Sequence, residues 1–380
     1  MRRILLVVVL ACGASGAASA QSSIFGIRGL GIPQAPLSAR SFGMAGSAGY
    51  LDGMSGTNPA AITSIVGLTA GIDFYQNWRS STTPGGTGSA SDAGLPYVNV
   101  VNRVKETPYY FSGSFGSYTD RAFGTVTSDT TSLNGVPVGF RDSLESRGGV
   151  SDFRLAFGYR KSAKAAFGLG FHFITGSNRI SLNRSFSDSV FEPVVQRSEL
   201  AYNAIGFSLG AVLHPTEPLL LTAVVRRDGN LNVDRDSIQA LTYTMPWTFG
   251  GGVQYRIGTR GTVSAQGTYT TWGDANEEIQ AAGGIGADNT IQAALGAELA
   301  TSRTSPGKLP LRLGIRTATL PFPLAEGEQA SEFAAALGTG VRFAKGRAAA
   351  DLGLERYWRS SGGGFSEDGW TVVLGLVLKP

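Results

Sequence analysis

The sequence predicts an all-β protein: a transmembrane antiparallel β-barrel of about 14 strands with an N-terminal hatch or plug inside the lumen. Three observations carry that expectation: a two-residue apolar rhythm along most of the chain, a secretory leader before it, and connections that alternate between short and long. In Ile291–Leu299, residues Ile291, Ala293, Leu295, Ala297 and Leu299 share one parity, and Gln292, Ala294, Gly296 and Glu298 the other. Successive side chains of a strand point to opposite faces, so this stretch has one apolar and one wet face. Many such segments behind a leader are the signature of an outer-membrane barrel, which crosses lipid with its backbone satisfied.

The leader comes first. Met1-Arg2-Arg3, the apolar run Ile4–Leu10 and the small residues Ala18-Ser19-Ala20 form a signal peptide over residues 1–20. The only cysteine, Cys12, lies inside it. Lipidation at Cys12 is the competing reading, and otherwise the mature chain has no thiol for a disulfide. Without the leader's two arginines, Lys+Arg falls from 32 to 30 against 28 acids. That balance, with no basic run, argues against a nucleic-acid partner. Glycine is abundant at 53 residues, and much of it sits within the alternating segments, where it suits curved walls and a crowded lumen.

Residues 21–62 do not alternate and are rich in small residues. A barrel of this width would leak unless something filled it, so this segment is expected to fold inside as a plug, with a periplasmic tail as the alternative. The barrel is expected over residues 63–380. Its strands fall at 63–78, 108–118, 122–131, 150–160, 165–176, 199–213, 218–228, 243–256, 261–273, 288–300, 309–318, 332–343, 348–358 and 368–379. Short turns are expected at Thr119–Arg121, Lys161–Lys164, His214–Glu217, Ile257–Arg260, Thr301–Lys308 and Ala344–Arg347, alternating with longer outer loops. The stretch 79–107 is read as one of those loops, with room for a short hairpin around Tyr97–Val101.

Charges within strands should face the lumen, because an arginine in the lipid midplane costs ~2–4 kcal/mol. Arg154, Glu298, Arg312, Arg316, Arg342, Asp351 and Glu355 all lie opposite the apolar set. Glu298 is expected to meet Arg312, and Arg342 to meet Asp351, in a lumen network that holds the wall. Arg226 and Arg356 fall on the other parity near strand ends, where a side chain can reach the interface.

The plug carries a resemblance. Ser38-Ala39-Arg40-Ser41-Phe42-Gly43-Met44-Ala45-Gly46, followed by Asp52 and then Asn58-Pro59-Ala60, resembles the hatch of the FadL-type long-chain fatty acid and hydrophobic-compound transporters. The resemblance maps Gly43, Met44 and Gly46 onto the hatch turn, and Asn58, Pro59 and Ala60 onto the hatch motif. It implies passive uptake of hydrophobic molecules, captured by outer loops and released sideways at an inward-kinked third strand, here 122–131. The implied partners are outer-membrane lipid, a hydrophobic small-molecule ligand and the outer-membrane barrel assembly machinery. The alternatives are a structural or shuttle component of a protein secretion system and a general porin for polar solutes.

No catalytic, metal or cofactor site is expected. Gly206-Phe207-Ser208-Leu209-Gly210 fits G-x-S-x-G, but a nucleophile elbow needs a strand–turn–helix and this motif lies within a strand. Two histidines, His172 and His214, cannot assemble an ordinary metal cluster. His172 has inward parity and is expected to be a lumen hydrogen-bonder.

Overall fold

The computed structural model describes residues 23–133, 135–236, 238–301 and 309–380. The leader and most of the turn expected at Thr301–Lys308 lie outside the described residues. Fourteen strands form a closed wall: β1 Thr69–Thr83, β2 Gly86–Arg103, β3 Tyr109–Asp120, β4 Val136–Arg160, β5 Ala165–Phe186, β6 Val194–Thr216, β7 Leu219–Asp228, β8 Trp247–Ile257, β9 Gly261–Thr270, β10 Thr290–Leu299, β11 Leu311–Thr319, β12 Ser331–Phe343, β13 Ala348–Ser361 and β14 Phe365–Leu378. Each is antiparallel to the next, and β14 pairs with β1 from Ser366↔Thr82 to Leu378↔Ala70, closing the sheet. Four further extended segments join the sheet without being part of the closed wall: Ile32–Pro33, Phe123–Leu133, Leu231–Arg235 and Ile238–Tyr243.

Two expectations are corrected, and they cancel in the strand count. The stretch 79–107 is not a loop, because β1 and β2 form a long hairpin across it. Conversely, Phe123–Leu133 is not a wall strand. It covers only the outer half of β4, Val136–Ser146, while β3 covers Gly149–Tyr159 of the same strand. The expected short turn at Thr119–Arg121 is therefore a step within one side of the wall, where the Arg121 N–H donates to the Gly148 carbonyl.

The outer surface follows the predicted parity. Phe153, Leu155, Phe171, Phe207, Leu209, Leu295, Leu313 and Leu337 are all exposed on the wall. Trp78, Trp247, Trp358 and Trp370 ring one end of this band, and Tyr109, Phe167, Tyr255 and Phe343 the other. On β12 the band runs from Phe333 to Phe343, about ten steps of ~3.3 Å, or ~25 Å once strand tilt is included. An exposed apolar belt of that height with aromatic edges is the surface of a membrane-embedded barrel.

The N-terminal segment lies inside. Gly43 meets Gly338 of β12, Pro59 and Ala60 cover Gly168 of β5, Tyr50 lies on Gly250 of β8, and Met54 reaches Gly71 of β1. Contacts on opposite sides of one cylinder place this segment across the lumen. Wall glycines make the close approach possible. Gly296, Gly314, Gly338, Gly353 and Gly375 stand one on each of β10 to β14, and a Cβ on any of them would strike residues Ala39–Ser47 or Asp73. Glycine in a strand is normally a weakness, but here it lets two backbones touch.

Candidate binding site between plug and outer apolar cluster

The plug's geometry comes from short polar side chains that bind local backbone. Ser38 Oγ accepts from the Ser41 N–H at 3.2 Å and starts the helical turn Ala39–Phe42. Asp52 gathers this turn by accepting from Ser38 Oγ at 2.6 Å, Ser41 Oγ at 3.1 Å and the Met54 N–H at 3.0 Å. Ala45, at φ +51°, and Gly46, at φ +83°, are both left-handed and turn the chain after Met44. The Met44 carbonyl lies directly over Gly296 and Gly314.

Asn58 is fully buried, and its Oδ1 accepts from the Ala60 N–H at 2.9 Å. Pro59 lies between them, so the side chain performs the turn that proline's missing N–H leaves unbonded. Asn58 Nδ2 donates to the Tyr50 carbonyl at 3.0 Å and to Thr222 Oγ1 of β7 at 2.5 Å. The motif thus ties three places together: its own turn, the preceding loop and the wall.

Five of the seven predicted lumen charges form two clusters, and Arg154 and Arg342 stand outside both. Glu298 accepts from Arg312 Nε at 2.6 Å, and on its other side from plug residue Arg40 at 2.9 and 3.0 Å. Arg312 also donates to Asp351 at 2.6 Å. A second cluster joins Arg316, Glu332, Glu355, Arg359 and Glu367, and Glu367 accepts from plug residue Ser23 at 2.8 Å. The Arg342–Asp351 expectation is corrected. The β12–β13 register sets Gly340 opposite Asp351 and Arg342 opposite Ala349, so Arg342 is exposed beside the short β12–β13 turn.

A polar layer that the sequence reading did not assemble sits above the plug. Asp152 of β4, His172 of β5, Ser208 of β6 and Asp228 of β7 are buried together. His172 Nε2 lies 2.9 Å from Ser208 Oγ, and its Nδ1 lies 2.8 Å from Asp152 Oδ2. Arg226 joins them, donating to Asp152 at 2.7 Å and to Asp228 at 2.8 Å. Its expected outward parity is therefore corrected: Arg226 shares the inward face with Thr222 and Asp228. Arg356 does face outward, with its guanidinium over Trp358 and Trp370 at the interface. Arg154, 2 % exposed, donates Nη1 to the Gly56 carbonyl of the plug, while its Nε and Nη2 have no hydrogen-bond partner. Arg226 Nη2 is likewise unpartnered.

Directly outside this layer the lumen turns apolar. Val150, Ile174, Tyr202, Ala204, Leu231, Val233, Met245, Trp272, Ile279 and Phe322 form one buried cluster built from the outer strand ends and loops. The lumen thus stacks an apolar cap, a polar layer with unpartnered guanidinium nitrogens, and the plug.

The wall opens beside this layer. β3 pairs with β2 only from Arg103↔Tyr110 up to Tyr97↔Gly116, where Pro96 has no N–H to extend the ladder. Beyond Gly116 the β3–β4 register slips between Ser117 and Thr119, a bulge that bends the strand. Thr119 and Asp120 then pair with Pro33 and Ile32 of the plug. Among the described residues, no strand pairs with that edge of β2 from Gly86 to Pro96. The inward-turned third strand is thus Tyr109–Asp120 and not 122–131.

Solved structures share this fold. The fold is that of the FadL-type channels. A FadL homologue from Pseudomonas aeruginosa shares 13% identity at a TM-score of 0.62, with 92% of this chain and 99% of that chain covered. The toluene transporter TodX of Pseudomonas putida shares 15% identity at a TM-score of 0.62, over the same shares of the two chains. CymD, a monoaromatic hydrocarbon channel, shares 14% identity at a TM-score of 0.56, over 90% and 97%. No protein-family description and no curated protein matches the sequence.

Proposed function

We propose that the protein is a bacterial outer-membrane channel for passive uptake of hydrophobic small molecules, of the size of a long-chain fatty acid or a monoaromatic hydrocarbon. The observation that carries this reading is the third strand, which leaves β2 to pair with Ile32 and Pro33 of the plug. A molecule that partitions into the apolar cap finds the polar layer and the plug below it and an unpaired wall edge beside it. Sideways exit into the bilayer suits an apolar solute, because it never has to enter water. A porin for polar solutes needs an aqueous lumen, which the plug and the buried ion pairs here oppose. Two of the three solved structures reported above are named as a transporter and a channel, which supports transport in place of secretion.

The test is uptake of radiolabelled oleate and of toluene by cells that lack their own hydrophobic-compound channels. Expression of this protein should raise the uptake of at least one several-fold over empty vector. Equal rates for both would remove the proposal.

A further inference from the structure

We propose that Ser208, His172 and Asp152 form an acyl-transfer centre inside the barrel that hydrolyses carboxylic esters bearing an apolar chain. Asp152 also accepts from Arg226 at 2.7 Å, and a carboxylate can only accept. The His172 Nδ1, 2.8 Å from Asp152, therefore carries the ring proton. The Nε2 lone pair is left facing Ser208 Oγ at 2.9 Å, the arrangement in which an imidazole takes a hydroxyl proton.

Two further observations bear on this place. First, Gly170 of β5 leaves the room that Ser208 Oγ occupies. A Cβ built there would collide with Ser208 Oγ, and would lie 3.4 Å from His172 Nε2 and 3.7 Å from Arg154 Cδ. Nucleophile, base and the Arg154 stem thus meet where a side chain at 170 would stand, and the glycine is what lets them meet. Second, Arg154 is almost wholly buried, and its Nε and Nη2 are unpartnered. Arg154 stands across from His172 in the β4–β5 register, and buried free N–H groups are the kind of donor that holds the negative oxygen of a tetrahedral intermediate.

The G-x-S-x-G pattern takes a different meaning here from an elbow. On strand β6, Gly206, Ser208 and Gly210 share the inward face. Gly206 gives its space to Asp228 and Gly210 gives its space to Asn58. The two glycines let Asp228 and Asn58 pack above and below the hydroxyl. Apolar surface lies next to it, since Ile174 and Ala204 of the outer cluster stand on the same inward faces as His172 and Gly206.

The reaction balances with water alone. The Ser208 Oγ–H proton passes to His172 Nε2 as Oγ bonds to the acyl carbon. The carbon–oxygen bond to the alcohol breaks, and the alcohol oxygen takes the proton from Nε2. Water then repeats both steps on the acyl-serine, releasing the carboxylic acid and restoring Ser208. Arg154 holds the oxyanion in each half. Asp152 is a positioning residue that keeps the imidazole in its tautomer and orientation.

The test uses the full-length barrel folded in detergent, with folding checked by its heat-dependent gel shift. An alkyl fluorophosphonate should label wild-type protein once, on the peptide that carries Ser208, and p-nitrophenyl octanoate should be hydrolysed. Ser208→Ala and His172→Ala should each lower that hydrolysis by about 100-fold or more. Asp152→Asn should lower kcat with little change in KM. Absence of label on Ser208 in folded wild-type protein overturns the proposal, even if a variant fails to fold. Hydrolysis undiminished in folded Ser208→Ala overturns it as well. Labelling and uptake are measured separately, so an unlabelled protein that still carries oleate loses only this centre. A labelled protein that carries nothing loses only the channel.

Discussion

Gly43 of the plug and Gly338 of β12 place their Cα atoms so close that a Cβ on either would lie 2.8 Å from the other's Cα. Both neighbours are main chain, so neither can swing aside. Gly338→Ala should therefore lower stability by about 1–3 kcal/mol through overpacking. Gly267→Ala is the control, because the nearest atom to its Cβ would be the Gln292 carbonyl oxygen at 4.0 Å. The midpoint of the heat-dependent gel shift should fall for the first variant and stay for the second. Protease cleavage around Ala39–Ser47 should rise only in the first.

Asn58 makes three hydrogen bonds from one buried side chain. Asn58→Ala should cost about 1–3 kcal/mol, because the Ala60 N–H and the Tyr50 carbonyl each lose a partner out of reach of water. The expected readout is a plug that opens more often, seen as brief conductance steps in a planar bilayer. A record as quiet as wild type would deny Asn58 a part in seating the plug.

Glu298 separates two kinds of ion pair. Its partner Arg312 has a side chain only 6 % exposed, whereas that of its partner Arg40 is 42 % exposed. Double-mutant cycles on refolding in urea should give the larger coupling for Glu298 with Arg312. With Arg40 the coupling should stay near or below ~1 kcal/mol. Reversed magnitudes would mean that the plug contact, and not the wall, holds this glutamate.

Ile32 and Pro33 hold the end of β3 away from β2. Ile32 is also anchored in an apolar cluster with Phe25, Leu320 and Leu324. Replacing Ile32 and Pro33 by glycine should free β3 to straighten, and oleate and toluene uptake should fall several-fold while the gel shift persists. Uptake at the wild-type rate in this folded variant would exclude the side of the barrel as the exit.

Much of the fold was legible because lipid imposes a period of two. Residues such as Leu295, Leu313 and Leu337 face hydrocarbon, and any strand inside the apolar band must repeat that pattern. The rule lapses above the band. The outer part of β2, from Gly86 to Ser91, has no lipid face to keep apolar, so its glycines and serines read as loop. Phe123–Leu133 was misplaced for the opposite reason: a polar strand outside the band has the same local composition as a wall strand, and only pairing separates them.

The polar layer was half legible. Inward parity marked His172, but Asp152, Ser208 and the bend of Arg226 come from three other strands, and their heights depend on register. Counting from the Lys161–Lys164 turn sets Arg154 opposite His172, and that step would have brought the buried groups of β4 and β5 together. The Arg342 expectation erred by two residues in the same kind of count, since Gly340 and not Arg342 lies across from Asp351.

The glycine track beneath residues 39–47 bears on the order of events during biogenesis. It runs over β10 to β14, the last strands to be made, while the chain that rests on it is among the first. Once β14 zips onto β1 the cylinder is sealed along its side, and a folded knot of forty residues would have to thread in through an end. Wrapping the opening stretch with the final hairpins avoids that passage, and sealing the cylinder and seating its stopper then become one act.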